Sequence, residues 1–264
     1  MNPDASAPLL DGLTEIAERA SAALLAVDRS ALAERSKSDG SPVTAADQAA
    51  QAAILPELAR LLPGMPIVSE EAERMPTTPG QSYLLVDPLD GTKELLAGRD
   101  EFTVNLALVR GGSPVLGVVA APALGLAWRG IVGRGAERLR FGEAPVAIHS
   151  RSQSATLIAA VSRSHLDPAT DAFLARQSGV ERIACGSALK FCRLAEGAAD
   201  LYPRLAPTHE WDIAAGHAVL AAAGGAVTTP SGDPLTYGRE GFRIPAFIAW
   251  GNPGLIRQKA VLQS

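Results

Sequence analysis

The stretch Leu84-Leu85-Val86-Asp87-Pro88-Leu89-Asp90-Gly91-Thr92-Lys93-Glu94 constrains this 264-residue chain more than any other. Three consecutive apolar residues read as a buried strand that runs straight into two aspartates, where Pro88 and Gly91 turn the chain. A tight turn aims the carboxylates of Asp87 and Asp90 into one small volume, and their repulsion is costly unless a cation or proton offsets it. Oxygen ligands of this kind suit Mg²⁺. Gly91-Thr92 then opens a helix whose first backbone N–H groups are offered to an anion such as phosphate. An ordinary surface turn is the competing reading, because Asp, Pro and Gly favour turns for conformational reasons alone.

Upstream, Leu13, Ile16, Ala17, Ala20, Leu24 and Val27 recur at helical spacing and predict an amphipathic first helix. Ser36 to Pro42 is small, polar and broken by Gly and Pro, which predicts a loop. Thr44 opens a second helix ending near Leu62-Pro63-Gly64. Asp47 fits there either as the capping partner of Thr44 or as a functional carboxylate, and Pro56 predicts a break. Met65 to Ser69 reads as a short strand leading into Glu70-Glu71. Paired glutamates commonly form a solvated face. If this strand lies beside the one ending at Asp87, however, Glu70 reaches the same cation.

From Phe102 to Val132 short apolar runs, split by Gly111-Gly112 and by further Gly and Pro, predict antiparallel strands joined by hairpins. The first half is therefore an α+β arrangement, helices beside an antiparallel sheet. The segment from Gly133 to Ser154 is richer in Gly, Arg, Ser and Glu, which places a domain boundary near Ser150. Residues 1–150 and 151–264 are expected to form two units. In the second, strands near 157–161, 180–184 and 200–202 alternate with helices at 168–177 and 188–196 in α/β fashion. Trp211-Asp212 then heads a helix stopped by Gly224-Gly225, with Asp212 at its start as cap or functional group. Ser187 and Lys190 fall in a first helical turn after Gly186, a place suited to a phosphate, although Lys190 and Arg204 also fit plain surface charge.

The net charge of −4 excludes the basic face of a nucleic-acid scaffold. Cys185 and Cys192 are expected to be free thiols in a reducing compartment. No apolar run approaches the roughly twenty residues of a membrane span, and the N-terminus lacks the pattern of a signal peptide. The cytoplasm is the expected compartment, with peripheral membrane association left open. His149, His165, His209 and His217 show no metal-ligand spacing, and His217 is expected to pack inside a helix.

Glu70-Glu71, Asp87-Pro88-Leu89-Asp90-Gly91-Thr92 and Trp211-Asp212 with Ala214-Ala215-Gly216 together resemble the Mg²⁺-dependent, lithium-sensitive phosphomonoesterases of the inositol monophosphatase superfamily. Within it, Ser41 to Asp47, Leu85 to Glu94, Val161 to His165 and Gly186 to Cys192 resemble the bacterial 3′(2′),5′-bisphosphate nucleotidase branch. The resemblance implies a layered αβαβα fold with an antiparallel-sheet N-terminal half and a smaller α/β C-terminal half. It implies two or three Mg²⁺ held by Glu70, Asp87, Asp90, Asp212 and the carbonyl of Leu89. Asp47 and Thr92 would orient or deprotonate the attacking water, with Glu71 as an outer partner. Gly91, Ser162, His165, Ser187, Lys190 and Arg204 would contact substrate beside Glu70, Asp90, Thr92 and Asp212. The implied reaction removes the 3′-phosphate of adenosine 3′,5′-bisphosphate, with the sulfated analogue as a further substrate. Inositol-1-phosphate and fructose-1,6-bisphosphate are the rival substrates on one fold, and a non-catalytic binding protein is the rival class. The implied partner is a small phosphorylated nucleotide, not a nucleic-acid polymer, and a homodimer is compatible with the sequence.

Overall fold

The computed structural model describes residues 5–28, 35–36, 42–72, 80–152, 156–164 and 166–256. In chain order the elements are α1 (Ala7–Leu25), β1 (Arg35–Ser36), β2 (Pro42–Val43), α2 (Ala45–Leu61), β3 (Ile67–Ser69), β4 (Ser82–Asp90) and α3 (Thr92–Leu96). There follow β5 (Thr103–Arg110), β6 (Ser113–Ala121), β7 (Leu126–Ile131), β8 (Gly135–Arg140), β9 (Val146–Ile148) and β10 (Leu157–Ser162). The chain continues with α4 (Pro168–Ala175), β11 (Val180–Cys185), α5 (Leu189–Ala195), β12 (Leu201–Arg204), β13 (Thr208–His209) and α6 (Glu210–Ala222). It closes with β14 (Ala226–Thr228), β15 (Arg243–Ile244) and β16 (Phe247–Trp250).

Strand periodicity explains the layering. Along β4, Leu84 and Val86 pack into a core shared with Leu13, Ile16, Ile54 and Leu58 of α1 and α2. Tyr83 and Leu85 point the other way, into a core with Phe191 of α5 and Ile213 and Leu220 of α6. Because β4 is buried on both faces, it reads as a continuous apolar run rather than an alternating one. A seven-stranded sheet in the order β3-β4-β5-β6-β7-β8-β9 thus lies between α1/α2 and α5/α6. Beyond α5/α6 lies a five-stranded sheet, β11-β10-β12-β16-β14. Its far face packs Ala159, Val161, Leu201 and Ile248 against Phe173 and Leu174 of α4. The result is an αβαβα stack, and α6 seats closely on β6: a Cβ on Gly117 would stand 2.4 Å from the Ala215 carbonyl oxygen.

The first sheet is antiparallel except that β3 runs parallel to β4, so Ile67-Val68-Ser69 is an edge strand delivering Glu70 beside Asp87. The segment from Gly133 to Ser154, for which no strand was expected, contains β8 and β9. In β8 only Ala136 and Leu139 are buried, one on each face of the sheet, so the strand shows neither an apolar run nor a period-two alternation. Helix α1 starts six residues earlier than the apolar pattern suggests, at Ala7. Helix α2 runs through Pro56; proline forfeits one backbone donor, and the buried Ile54 and Leu58 hold the helix on either side. The expected loop at Ser36 to Pro42 lies mostly outside the described residues, and its ends pair as β1 and β2. The second sheet is parallel only among β10, β11 and β12; β16 and β14 add antiparallel strands.

Candidate active site

The strand carrying Asp87 does not end in a turn. Strand β4 continues through Pro88 to Asp90, pairing Asp87 with Asn105 and Asp90 with Thr103, with the register shifting between them. Three steps on β4 therefore face two on β5, the signature of a bulge. Residues three apart in a regular strand face opposite sides; the extra residue returns Asp90 to the side of Asp87. Gly91 follows at φ 96, and a Cβ there would meet the Phe102 backbone at 3.2 Å, so only glycine fits before the five-residue helix α3.

Carboxylate oxygens of Glu70, Asp87 and Asp212 lie within 4.8 Å of one another. Asp212 stands at the third position of α6, one turn inside the expected capping position, which His209 occupies. From there its Oδ2 accepts the His209 N–H at 2.9 Å and the Thr208 hydroxyl. Asp87 is 1% exposed. Its Oδ1 accepts the Leu89 N–H at 3.1 Å, and among the described residues no hydrogen bond reaches its Oδ2. Burial, then the charge of Glu70, then those of Asp90 and Asp212, push its carboxyl well above the usual range. Burial and the Asp212 charge push Asp90 up to about 6.

Asp47 performs the capping expected of it, accepting the Thr44 N–H and hydroxyl on Oδ2, each at 2.7 Å. Its other oxygen accepts the Thr92 hydroxyl at 3.2 Å, so capping is not its sole contact. Gln51 donates to the Glu71 carbonyl at 2.8 Å and accepts from Ser69 at 2.6 Å, which fixes the β3 exit; Glu71 does not line the cleft.

That cleft, of about 300 Å³, is lined by the carboxylates of Glu70, Asp87, Asp90 and Asp212 with Leu89, Gly91 and Thr92, and by Ser162, Ser187, Lys190 and Arg204. His165 lies outside the described residues. Lys190 is buried, not a surface charge: its ammonium donates to the Ser187 carbonyl at 2.6 Å and the Cys185 carbonyl at 3.3 Å, and sits 5.1 Å from the centre of the Tyr202 ring. A third ammonium proton is left for the cleft. Arg204 donates to the Pro207 carbonyl at 3.3 Å, while its buried Nε has no partner among the described residues. Tyr202, missed in the sequence, lies on β12 two residues before Arg204 and on the same face. Cys185 and Cys192 are free and buried. His217 is packed, its Nδ1 3.0 Å from the Tyr237 hydroxyl, and burial lowers its pKa to about 4.

An acidic cluster that could hold a hard cation, facing cationic side chains across a cleft in an αβαβα stack, defines a metal-site phosphomonoesterase architecture. A model of the inositol monophosphatase family matches residues 7–261, and the chain belongs to that family. It is 42% identical over 258 residues to the 3′(2′),5′-bisphosphate nucleotidase CysQ of Escherichia coli strain K12, covering 90% of this chain and 98% of that one. The crystal structure of CysQ from Bacteroides thetaiotaomicron superposes with a TM-score of 0.80 at 34% identity, covering 92% of this chain and 97% of that one. An inositol monophosphatase from Anabaena superposes at a TM-score of 0.75 and 25% identity, over 96% and 95% of the two chains.

Proposed function

We propose that the protein is a Mg²⁺-dependent 3′(2′),5′-bisphosphate nucleotidase that hydrolyses the 3′-phosphate of adenosine 3′,5′-bisphosphate to AMP and phosphate, and also accepts the sulfated analogue. The observation that carries the reading is the pairing of an acidic cluster built around the buried Asp87 with the buried Lys190 and the half-buried Arg204 in one cleft.

The donor set fits Mg²⁺. All its side-chain ligands are carboxylate oxygens, and the buried Asp87 Oδ2 has no hydrogen bond among the described residues, an arrangement that is costly without a cation. Glu70, Asp87, Asp90 and Asp212, with the Leu89 carbonyl, would hold the metal. When bound, it supplies positive charge against the phosphoryl oxygens and lowers the pKa of water.

The Thr92 hydroxyl lines the cleft 3.2 Å from Asp47 Oδ1 and 3.4 Å from the Leu89 carbonyl; passing its proton to Asp47, it would receive one from the attacking water. Asp47 is 1% exposed and its other oxygen is already bonded twice, which fixes its orientation as the final proton acceptor. Lys190 and Arg204 hold the phosphate that is not cleaved, and Ser162 and Ser187 border it. Kinetics with adenosine 3′,5′-bisphosphate, inositol-1-phosphate and fructose-1,6-bisphosphate, measured side by side with Mg²⁺, test the reading. The bisphosphate nucleotide is expected to have the highest kcat/KM; a preference for either sugar phosphate would overturn it.

A further inference from the structure

We propose that Glu101 is a positioning residue for substrate selectivity: it pins the Gly186-Ser187 turn, and the turn in turn places the Lys190 ammonium. The proposal rests on the role given to Lys190 above.

Ser187 has φ 54, a left-handed conformation without being glycine. Such a backbone is strained and persists only where its surroundings over-determine it. Here three ties reach the turn, two from the first sheet and one from the loop that enters β5. The Ser187 hydroxyl donates to the Asp90 carbonyl at 2.7 Å, and the Thr103 hydroxyl lies 2.9 Å from the Ser187 hydroxyl. The Gly186 N–H donates to Glu101 Oε2 at 2.9 Å. Approach is so close that a Cβ on Gly186 would stand 2.4 Å from the Glu101 carbonyl oxygen.

Glu101 is itself held. Arg163 donates to both of its carboxylate oxygens, at 2.7 and 2.8 Å, and to the Ala184 carbonyl at 2.7 Å. Two-pronged guanidinium contacts fix direction as well as distance. The Cys185 carbonyl, which belongs to the same peptide group as the pinned Gly186 N–H, and the Ser187 carbonyl two residues on are the two that hold Lys190. Neither Glu101 nor Arg163 is among the residues lining the cleft; the Glu101 carboxylate also feels the Lys190 charge directly, and Glu101→Gln, which drops that charge and keeps the acceptor, separates it from the tie to the turn.

The test uses the full-length, Mg²⁺-loaded protein. Glu101→Ala is expected to lower kcat/KM for adenosine 3′,5′-bisphosphate about tenfold, mainly through KM, because a charge-assisted tie is lost. Inositol-1-phosphate, which has no second phosphate, should change less than about twofold. Glu101→Gln should restore most of the loss, since its amide oxygen can still accept the Gly186 N–H. Amide hydrogen exchange across residues 183–191 should accelerate in Glu101→Ala and not in Glu101→Gln. Arg163→Met, which leaves Glu101 in place but unheld, should shift selectivity the same way by a smaller factor. Equal losses on both substrates, unchanged exchange, or an unaffected Arg163→Met beside an unfolded Glu101→Ala would each overturn the proposal. A wild-type enzyme with no preference for the bisphosphate would instead refute the role of Lys190, and the exchange data would still decide whether Glu101 pins the turn.

Discussion

The Thr92 hydroxyl donates to Asp47 Oδ1 at 3.2 Å although 45 residues separate them, joining the first turn of α2 to the start of α3. The same aspartate caps α2 through its other oxygen, so the fold and the proposed proton path share one side chain. Thr92→Ala should lower kcat about a hundredfold to ten-thousandfold with little change in KM, the range of a lost proton-transfer group. Thr92→Ser should recover most of it. Steady-state kinetics of the two variants check this, and an active Thr92→Ala would remove Thr92 from the path.

Asp47→Ala should hurt twice. Beyond the loss of rate, removal of the cap is expected to cost about 0.5–2 kcal/mol of stability, read as a lower urea midpoint at unchanged slope. A variant with full stability and no activity would show that capping contributes nothing here.

Asp90→Asn separates function from folding. Asp90 is raised to about 6 by burial and the neighbouring Asp212, so at pH 7.5 its charge is held at a cost in the metal-free protein. The amide removes that repulsion along with a metal ligand. A rate loss of at least about a thousandfold, roughly 4 kcal/mol of barrier, should accompany an unchanged or higher melting temperature in chelator. A variant that unfolds yet keeps its specific activity would make the bulge structural only.

Lys190→Ala should cost about 1.5–3 kcal/mol on adenosine 3′,5′-bisphosphate, a tenfold to hundredfold drop in kcat/KM, while inositol-1-phosphate turnover barely moves. Equal losses on both would assign Lys190 to the common centre or to the fold.

His217 gives stability a defined pH dependence. Its folded pKa, about 4, lies below the unfolded 6.5, so between these values the unfolded chain binds the extra proton. Stability contributed by neutral His217 is present above pH 6.5 and is lost as pH falls toward 4, by roughly 2–3 kcal/mol. His217→Asn should flatten that part of the urea-midpoint profile; an identical profile would contradict the assignment.

Much of this arrangement was legible in the residues. The hairpin strands after Phe102, the alternation after Leu157 and the acidic strand ends are local patterns, and tertiary packing agrees with them. Asp87, Asp90 and Glu70 were readable because strand ends announce what they carry. The bulge was not, since Pro88 and Gly91 are equally good turn residues and only the pairing with β5 distinguishes the two. Strand β8 was lost because its two buried residues lie on opposite faces of the sheet. Asp212 was placed one turn too early because Asp is favoured at a cap and the capping box that seats it third depends on His209. Glu101 carries no sequence signal, and Arg163 lies in the Val161 to His165 stretch without a role of its own; the two become a pair only when the fold sets them 2.7 Å apart.

The most direct test of the central claim is phosphorus NMR of adenosine 3′,5′-bisphosphate incubated with the protein. With Mg²⁺ present, the 3′-phosphate signal should disappear, inorganic phosphate should appear and the 5′-phosphate signal should remain; chelator should stop the change and added Mg²⁺ restore it. Release of the 5′-phosphate, full turnover in chelator, or an inert bisphosphate beside hydrolysed inositol-1-phosphate would contradict the account.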